Sequence, residues 1–209
     1  AFSPQKRWGT FSAIGAGWII SDEPFFKAGD WLNLLKVRGS FGQTGNGDIP
    51  PYKYLNNYAI FSGGGSYMNQ QNSYILSVGN SAISWETSNN KDVGFDFGLI
   101  NNRINGSFAY YRKDVNGLLL RVPLPGSAGI PGGNSVWQNI GNMQNSGFEI
   151  NIAATVIRNP DFSWEVSFNN TFNDNLVTKL HPQVDITGSG IITDRTITKK
   201  GLKLATYYL

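Results

Sequence analysis

The chain holds 209 residues with a formal net charge of +3, and it contains no Cys. So small a charge, with no basic run beyond Lys199-Lys200, argues against nucleic acid as a partner, and the missing thiols exclude disulfides and thiolate metal sites. Gly fills 25 positions, well above the usual ~7%, while charged residues reach only 15% and aromatic residues 13%. With almost no helical periodicity, this composition describes an all-β chain. No run approaches the ~18–20 apolar residues of a membrane helix, so a chain of this kind could cross a bilayer only as a closed barrel.

Taken in order, AFSPQKRWGT has neither a Met start nor a signal peptide and reads as the interior of a longer protein. Arg7 to Ser21 is the first predicted strand, with Phe11, Ala13, Gly15, Gly17 and Ile19 on one face. Asp22–Trp31 connects it to a second, in which Leu35, Val37, Gly39 and Phe41 alternate with Lys36, Arg38, Ser40 and Gly42. Gln43 to Ser81 is then long and irregular, rich in Gly, Asn, Ser, Tyr and Gln. Loops of that length are usually functional or mobile.

Trp85 to Leu120 carries the strongest local signal. Val93, Phe95, Phe97 and Leu99 share one face, Asp92, Gly94, Asp96 and Gly98 the other. A second run sets Ile104, Gly106, Phe108 and Tyr110 against Asn105, Ser107, Ala109 and Tyr111. Period two marks strands with one apolar face. A two-residue Asn101-Asn102 turn, of the kind that needs positive φ, pairs Leu99 with Ile104, Phe97 with Gly106, Phe95 with Phe108, and Val93 with Tyr110. Every apolar position then meets another; a slip of one residue would destroy that match.

A Pro- and Gly-rich loop, Val122–Val136, follows. The fifth predicted strand spans Asn139 to Ile157, with Phe148, Ile150, Ile152, Ala154 and Val156 on one face. The sixth sets Phe162, Trp164, Val166 and Phe168 against Ser163, Glu165, Ser167 and Asn169. Matching the two apolar faces across the turn at Arg158–Asp161 demands an odd loop, predicted at three residues. His181 to Lys200 is polar and loop-like, with room for the start of a seventh strand, and the closing LKLATYYL stops within a plausible one.

Period two alone does not say what the apolar face touches. In a soluble sandwich it points to a core; in an outer-membrane barrel it meets lipid while the polar face lines the interior. Two features favour the barrel. The connections alternate between long and short, and the strands exceed the ~5–6 residues usual in soluble sheets, standing taller than a bilayer so that part of the wall projects into water.

Several segments together resemble the C-terminal half of the barrel in SusC/RagA-type TonB-dependent outer-membrane transporters. They are LKVRGSFGQTGN (Leu35–Asn46), Trp85–Pro125, NIGNMQNSGFEINI (Asn139–Ile152) and FSWEVSFNNTFNDNLVTKL (Phe162–Leu180), with GWIISDEPFF (Gly17–Phe26) in the same pattern. The resemblance covers most of the chain in the right order. It implies an all-β fold, part of an antiparallel transmembrane β-barrel with long extracellular loops and short periplasmic turns, whose plug and closing strands are absent from these residues. It also implies a non-enzymatic importer of oligosaccharides or peptides in the outer membrane of Bacteroidetes-type bacteria, energised by TonB and capped by a SusD-like surface lipoprotein. Rival readings are a passive porin or structural barrel and a secreted β-sandwich lectin or adhesin; a plug with a TonB box separates the first, solubility without detergent the second.

Candidate sites divide between wall and loops. Lys36, Arg38, Asp92, Asp96, Arg103, Lys113, Glu149 and Glu165 are expected on the inward parity as a salt-bridged lumen lining, and Glu86 shares that reading. Paired carboxylates can serve acid–base catalysis, but neighbouring cations favour the structural role. In the long loops Tyr52, Tyr54, Tyr58, Tyr67 and Trp137 are candidate substrate contacts, since aromatic faces stack on sugars or peptide side chains and loops carry function more often than walls. Asn56, Asn57, Asn69, Gln70 and Gln71 could add hydrogen bonds. The only histidine, His181, reads as a surface residue beside Pro182. Asn173, Asp174 and Asn175 lack the spacing and the Glu of a calcium loop, and Gly63–Gly65 lacks the Lys and helix of a phosphate loop. No cofactor or metal is expected. Trp8, Trp18, Trp85 and Trp164 near strand ends suit interfacial girdles.

Overall fold

Alternation along the chain becomes a single antiparallel wall in the computed structural model, which describes all residues except 1, 28, 30, 61–65, 68–69, 131–134, 181–188, 194 and 209. In chain order the strands are β1 (Ala13–Ile19), β2 (Leu32–Asn46), β3 (Asn57–Ile60), β4 (Ser66–Tyr67), β5 (Gln70–Gln71), β6 (Ser73–Ser77), β7 (Glu86–Leu99), β8 (Ile104–Pro123), β9 (Ser135–Arg158), β10 (Ser163–Leu180), β11 (Ile191–Thr193), β12 (Thr196–Thr198) and β13 (Thr206–Tyr207). Six of them form the wall in the order β1-β2-β7-β8-β9-β10. The small strands make separate sheets, β3 with β6, β4 with β5, and β11-β12-β13. The seventh strand expected after His181 is therefore a short piece outside the wall.

The β7–β8 hairpin has the predicted register, with Leu99 opposite Ile104, Phe97 opposite Gly106, Phe95 opposite Phe108 and Val93 opposite Tyr110. Asn101 and Asn102 have φ of 52° and 59°, and the Arg103 N–H donates to the Ile100 carbonyl at 3.1 Å. With Ile100 also at φ of 53°, three successive residues are left-handed, and the two at the centre give the primed turn whose twist suits a hairpin. Phe97 does lie over Gly106, where an added Cβ would come within 2.5 Å of the ring.

The β9–β10 turn differs from the prediction. Asn159 and Phe162 exchange backbone hydrogen bonds across Pro160-Asp161, so the loop is even, not three residues. The parity is restored inside the ladder: Trp164 faces Ile157 and Glu165 faces Thr155, leaving Val156 as a bulge. The extra residue sits in the strand rather than in the turn. Beyond it Val166 meets Ala154, Phe168 meets Ile152 and Phe172 meets Phe148, so the apolar faces align after all.

β1 also carries its apolar face on the opposite parity from the one expected, and starts later than Arg7. Ile14, Ala16 and Trp18 lie beside Phe41, Gly39 and Val37. Ala13, Gly15 and Gly17 face the polar side instead, where a Cβ on Gly17 would sit 3.3 Å from Cε of Lys36. Small residues there leave room for the long polar side chains of β2. β8 and β9 outrun the predicted loop boundaries, since Val122 pairs with Val136 and Pro123 with Ser135. β2 likewise continues to Asn46 and β10 to Leu180.

Below the irregular stretch of β8, no described side chain on the apolar parity of the wall is buried. Phe95 is 40% exposed, Phe148 45% and Phe172 59%, with Val93, Tyr110, Ile152, Val166 and Phe168 exposed beside them. The rings instead form a chain along the surface, Phe95 on Phe108 at 5.7 Å and Phe108 on Phe148 at 5.7 Å. At the end of the short turns, Trp18, Phe25, Trp31, Phe162 and Trp164 are exposed as well, the place of an aromatic girdle. Trp85 does not belong to that group: it packs on Phe2 and Phe11 at the far end.

That far end holds the buried core. Ile83 is fully buried and clusters with Phe2, Ile49 and Leu119, while Val122, Val136 and Ile140 form a second group. Two polar side chains fasten this end, Asn139 holding the arriving 80–85 segment and Glu86 joining β7 to β8 and β2. Asn139 accepts from the Ser84 N–H and donates to the carbonyls of Ser84 and Gly117, each at 2.9 Å. Glu86 accepts from the Leu119 N–H at 3.0 Å and from Asn46 at 3.2 Å. Both act where β8 is irregular, between Asn116 and Leu119, around Gly117 with φ of 65°.

Candidate functional site

The polar parity of the wall brings a few of the predicted charged residues together and separates the rest. Arg38 on β2 lies opposite Gly94 on β7, so Asp92 and Asp96 are its diagonal neighbours, within reach of a long side chain. Its guanidinium contacts Asp92 at 3.6 Å and Asp96 at 3.3 Å, all three side chains being roughly a third exposed. Ser40 donates a further hydrogen bond to Asp92. Half-exposed pairs of this kind contribute about 0–1 kcal/mol each; their role is to fix side-chain positions.

The other members do not join this cluster. Lys36 is the cross-strand neighbour of Asp96, but among the described residues it makes no ion pair. Glu149 shares the row of Arg38, yet Gly94 and Ala109 stand between them on β7 and β8, about 14 Å at three strand spacings. Glu165 lies low on β10 opposite Thr155. Arg103 stands in the hairpin turn, where its carbonyl accepts the Thr155 N–H at 2.8 Å. Lys113 sits higher, level with Asn90 and Asn145. Among the described residues this polar face is thus mostly amide and hydroxyl, with one ion-paired cluster, and Glu86 serves the backbone of β8 rather than a cation.

Above that cluster is a residue that the sequence reasoning passed over. Tyr111 projects from β8 on the polar parity, opposite Gly147 of β9 and, one strand further, Asn173 of β10. Its hydroxyl donates to Oδ1 of Asn173 at 2.9 Å. A Cβ on Gly147 would fall 2.7 Å from that hydroxyl, so the ring lies directly over the glycine. A cavity of about 280 Å³ opens here among Asn90, Asp92, Tyr111, Lys113, Asn145 and Asn173. An aromatic on the polar parity, facing a glycine across the register, was the signal available in the sequence.

The loop aromatics divide as well. Tyr52 and Tyr54 share a cleft of about 490 Å³ with Phe2, Arg7, Pro51 and Trp85. Tyr52 is 63% exposed, with φ of 61°. Trp137 stands on β9 opposite Arg121, not in a loop; it and Tyr54 pack against the buried cluster around Ile83, and the Trp137 carbonyl accepts from Asn80 at 2.9 Å. Tyr58 is exposed on β3, away from that cleft's lining. Tyr67 is described only as backbone in β4; its side chain, those of Gln70 and Gln71, and the whole of Gly63–Gly65, Asn69 and His181 lie outside the described residues. Asn173, Asp174 and Asn175 stand on β10 with separate partners, Tyr111, Lys203 and the Leu204 N–H.

Comparison with known proteins gives a consistent result. The family model for the TonB dependent receptor-like β-barrel matches residues 1–203. Over 207 residues the chain is 34% identical to the TonB-dependent receptor P39 of Formosa agariphila, a match spanning 99% of this chain and 19% of that protein. Over 186 residues it is 36% identical to the TonB-dependent receptor SusC of Bacteroides thetaiotaomicron, spanning 86% and 18% respectively. The fold superposes on a chain of the RagAB peptide transporter with a TM-score of 0.85 at 26% identity, covering 97% of this chain and 22% of that one. The chain therefore spans about a fifth of the length of these relatives.

Proposed function

This chain belongs to the TonB-dependent receptor β-barrel family, and from that premise we propose that it forms part of the wall of an active importer in a bacterial outer membrane. The observation that carries the reading is the division of one sheet into two unlike faces. One presents a continuous exposed band of Phe, Val, Ile and Tyr side chains; the other presents amides, hydroxyls and the Arg38 cluster. A sheet with no packed core on its apolar side is stable only where a second apolar medium covers that side, and a lipid bilayer is that medium. The wet face then lines the solute path.

The substrate class is an oligosaccharide or a peptide. Likeness to SusC and to the RagAB transporter supports this range, and it supports a SusD-like surface lipoprotein as the capping partner. Import energy comes from TonB through other parts of the protein. Solute is captured at the end carrying the long loops, where the Tyr52–Trp85 cleft opens, and passes along the polar wall once the plug is displaced. The protein does no covalent chemistry on its cargo.

The test is nutrient uptake by cells that carry or lack the gene for the full-length protein. Uptake of an oligosaccharide or peptide should disappear on deletion, and equally on loss of TonB or addition of a protonophore. Uptake that survives both energy blocks would identify a passive pore instead.

A further inference from the structure

The geometry points to a saccharide-binding subsite on the polar face of the wall, built on Tyr111; the inference rests on the importer reading and narrows its substrate class. Tyr111, Gly147 and Asn173 occupy one row across β8, β9 and β10. Neighbouring strands are about 4.8 Å apart, so a tyrosine on β8 reaches a side chain on β10 only by lying along the sheet. The 2.9 Å bond to Asn173 shows that it does. Gly147 supplies the space beneath: its missing Cβ would stand 2.9 Å from Cζ of the ring. One face of the ring is thus seated on the backbone, its edge is tethered, and the opposite face is left toward the solute path.

The surroundings decide the ligand. The cavity side chains on this parity are Asn90, Asn145, Asn173, Asp92 and Lys113 around the ring. Amides both donate and accept, matching hydroxyls that do the same, while the ring offers the one large apolar surface. A pyranose has that shape, with an apolar C–H face bordered by hydroxyls. A peptide would require apolar pockets for its side chains, and none of these six residues is aliphatic. Asp92 is already held by Arg38 and Ser40, and among the described residues Lys113 makes no ion pair, so it is available to a ligand oxygen. A few oriented polar groups around an aromatic surface are what a small-ligand site requires.

The experiment uses the full-length protein in detergent and two probe mixtures: neutral hexasaccharides of gluco, manno, xylo and fructo type, and neutral hexapeptides. Retention is measured by equilibrium dialysis, and heat-modifiable mobility on gels confirms that each variant is folded. Wild type should retain at least one hexasaccharide. Tyr111→Ala should weaken that binding about tenfold or more, whereas Tyr111→Phe, which keeps the ring and drops the tether, stays within about threefold. Should Tyr111→Ala fail to fold, Tyr111→Leu keeps bulk over Gly147 without the aromatic face and should show the same loss. Saccharide binding unchanged in the Ala or Leu variant overturns the subsite, as does retention of peptides alone or of neither mixture. Peptide retention alone leaves the importer reading intact; that reading falls only if uptake survives the energy blocks.

Discussion

Along β8, residues Ile104 to Tyr110 and residues Val115 to Pro123 belong to one strand, yet their apolar side chains are treated in opposite ways. In the lower half Phe108 and Tyr110 join an exposed band with Phe95 and Phe148. In the upper half Val115, Leu119 and Val122 are buried, two of them in clusters with residues from the loops and β9. The register of the lower half is unbroken from Leu99/Ile104 to Thr87/Asn116; the upper half is broken between Asn116 and Leu119 and held there by Glu86 and Asn139. On the proposed reading, hydrocarbon covers the apolar side of the lower wall, which keeps only its ladder. The upper wall would then stand in water, where it makes a core of its own from loops and bulges. One strand therefore obeys two sets of packing rules, and the change falls where the charged pair Lys91 and Arg112 caps the outward band.

The largest expected effect is in the upper region. Ile83→Ala removes the one large side chain that is fully buried among the described residues and should cost about 2–5 kcal/mol, read as protease sensitivity of the loop joining β2 to β7 while the β7–β8 hairpin stays protected. Next, Phe148→Arg places a charge in the apolar band and should cost about 2–4 kcal/mol, lowering the amount of folded barrel recovered from membranes. Asn145→Arg, on the polar parity of the same strand, should leave recovery within experimental error; equal losses would erase the distinction between the faces. Asn139→Ala strips hydrogen bonds from the Ser84 N–H and from the carbonyls of Ser84 and Gly117, costing about 1–3 kcal/mol. Its signature is faster amide exchange at Ser84, with no change at Phe95. Smallest is Ile100→Gly: a β-branched residue at φ of 53° is disfavoured by about 1–2 kcal/mol, so the variant should gain about 1 kcal/mol in thermal stability.

The same contrast explains what could be read from the residues alone. The β7–β8 hairpin was legible to the residue because alternation and turn chemistry are both local, and each constrains the register independently. The β9–β10 pairing was legible only in outcome: the faces match, but Val156 supplies the parity, and no side-chain pattern distinguishes a bulge from a longer turn. The face of β1 was misread because Ala13, Gly15 and Gly17 carry little hydrophobic signal; their orientation is set by Lys36 and Arg38 on the neighbouring strand. The upper core was illegible. Ile83 meets Phe2, Ile49 and Leu119 through contacts distant in sequence, and Val122 and Val136 looked like loop residues within a Pro- and Gly-rich stretch. Alternation alone placed most of the charged residues on one parity of the wall, but ion pairing depends on diagonal reach, which singled out Arg38, Asp92 and Asp96.

The most direct measurement places single cysteines at successive positions from Lys91 to Gly98 of the full-length protein in lipid vesicles, any native cysteine elsewhere having been replaced by serine; these 209 residues contribute no competing thiol. Each is labelled with an environment-sensitive fluorophore and exposed to bromine-bearing acyl chains and to an aqueous quencher. Labels at Val93, Phe95 and Phe97 should be quenched by the acyl chains, and labels at Asp92, Gly94 and Asp96 by the aqueous agent, with a period of two. Protection of Val93, Phe95 and Phe97 from both quenchers would mean that the apolar band packs against protein, and the account of a lipid-facing wall would be wrong.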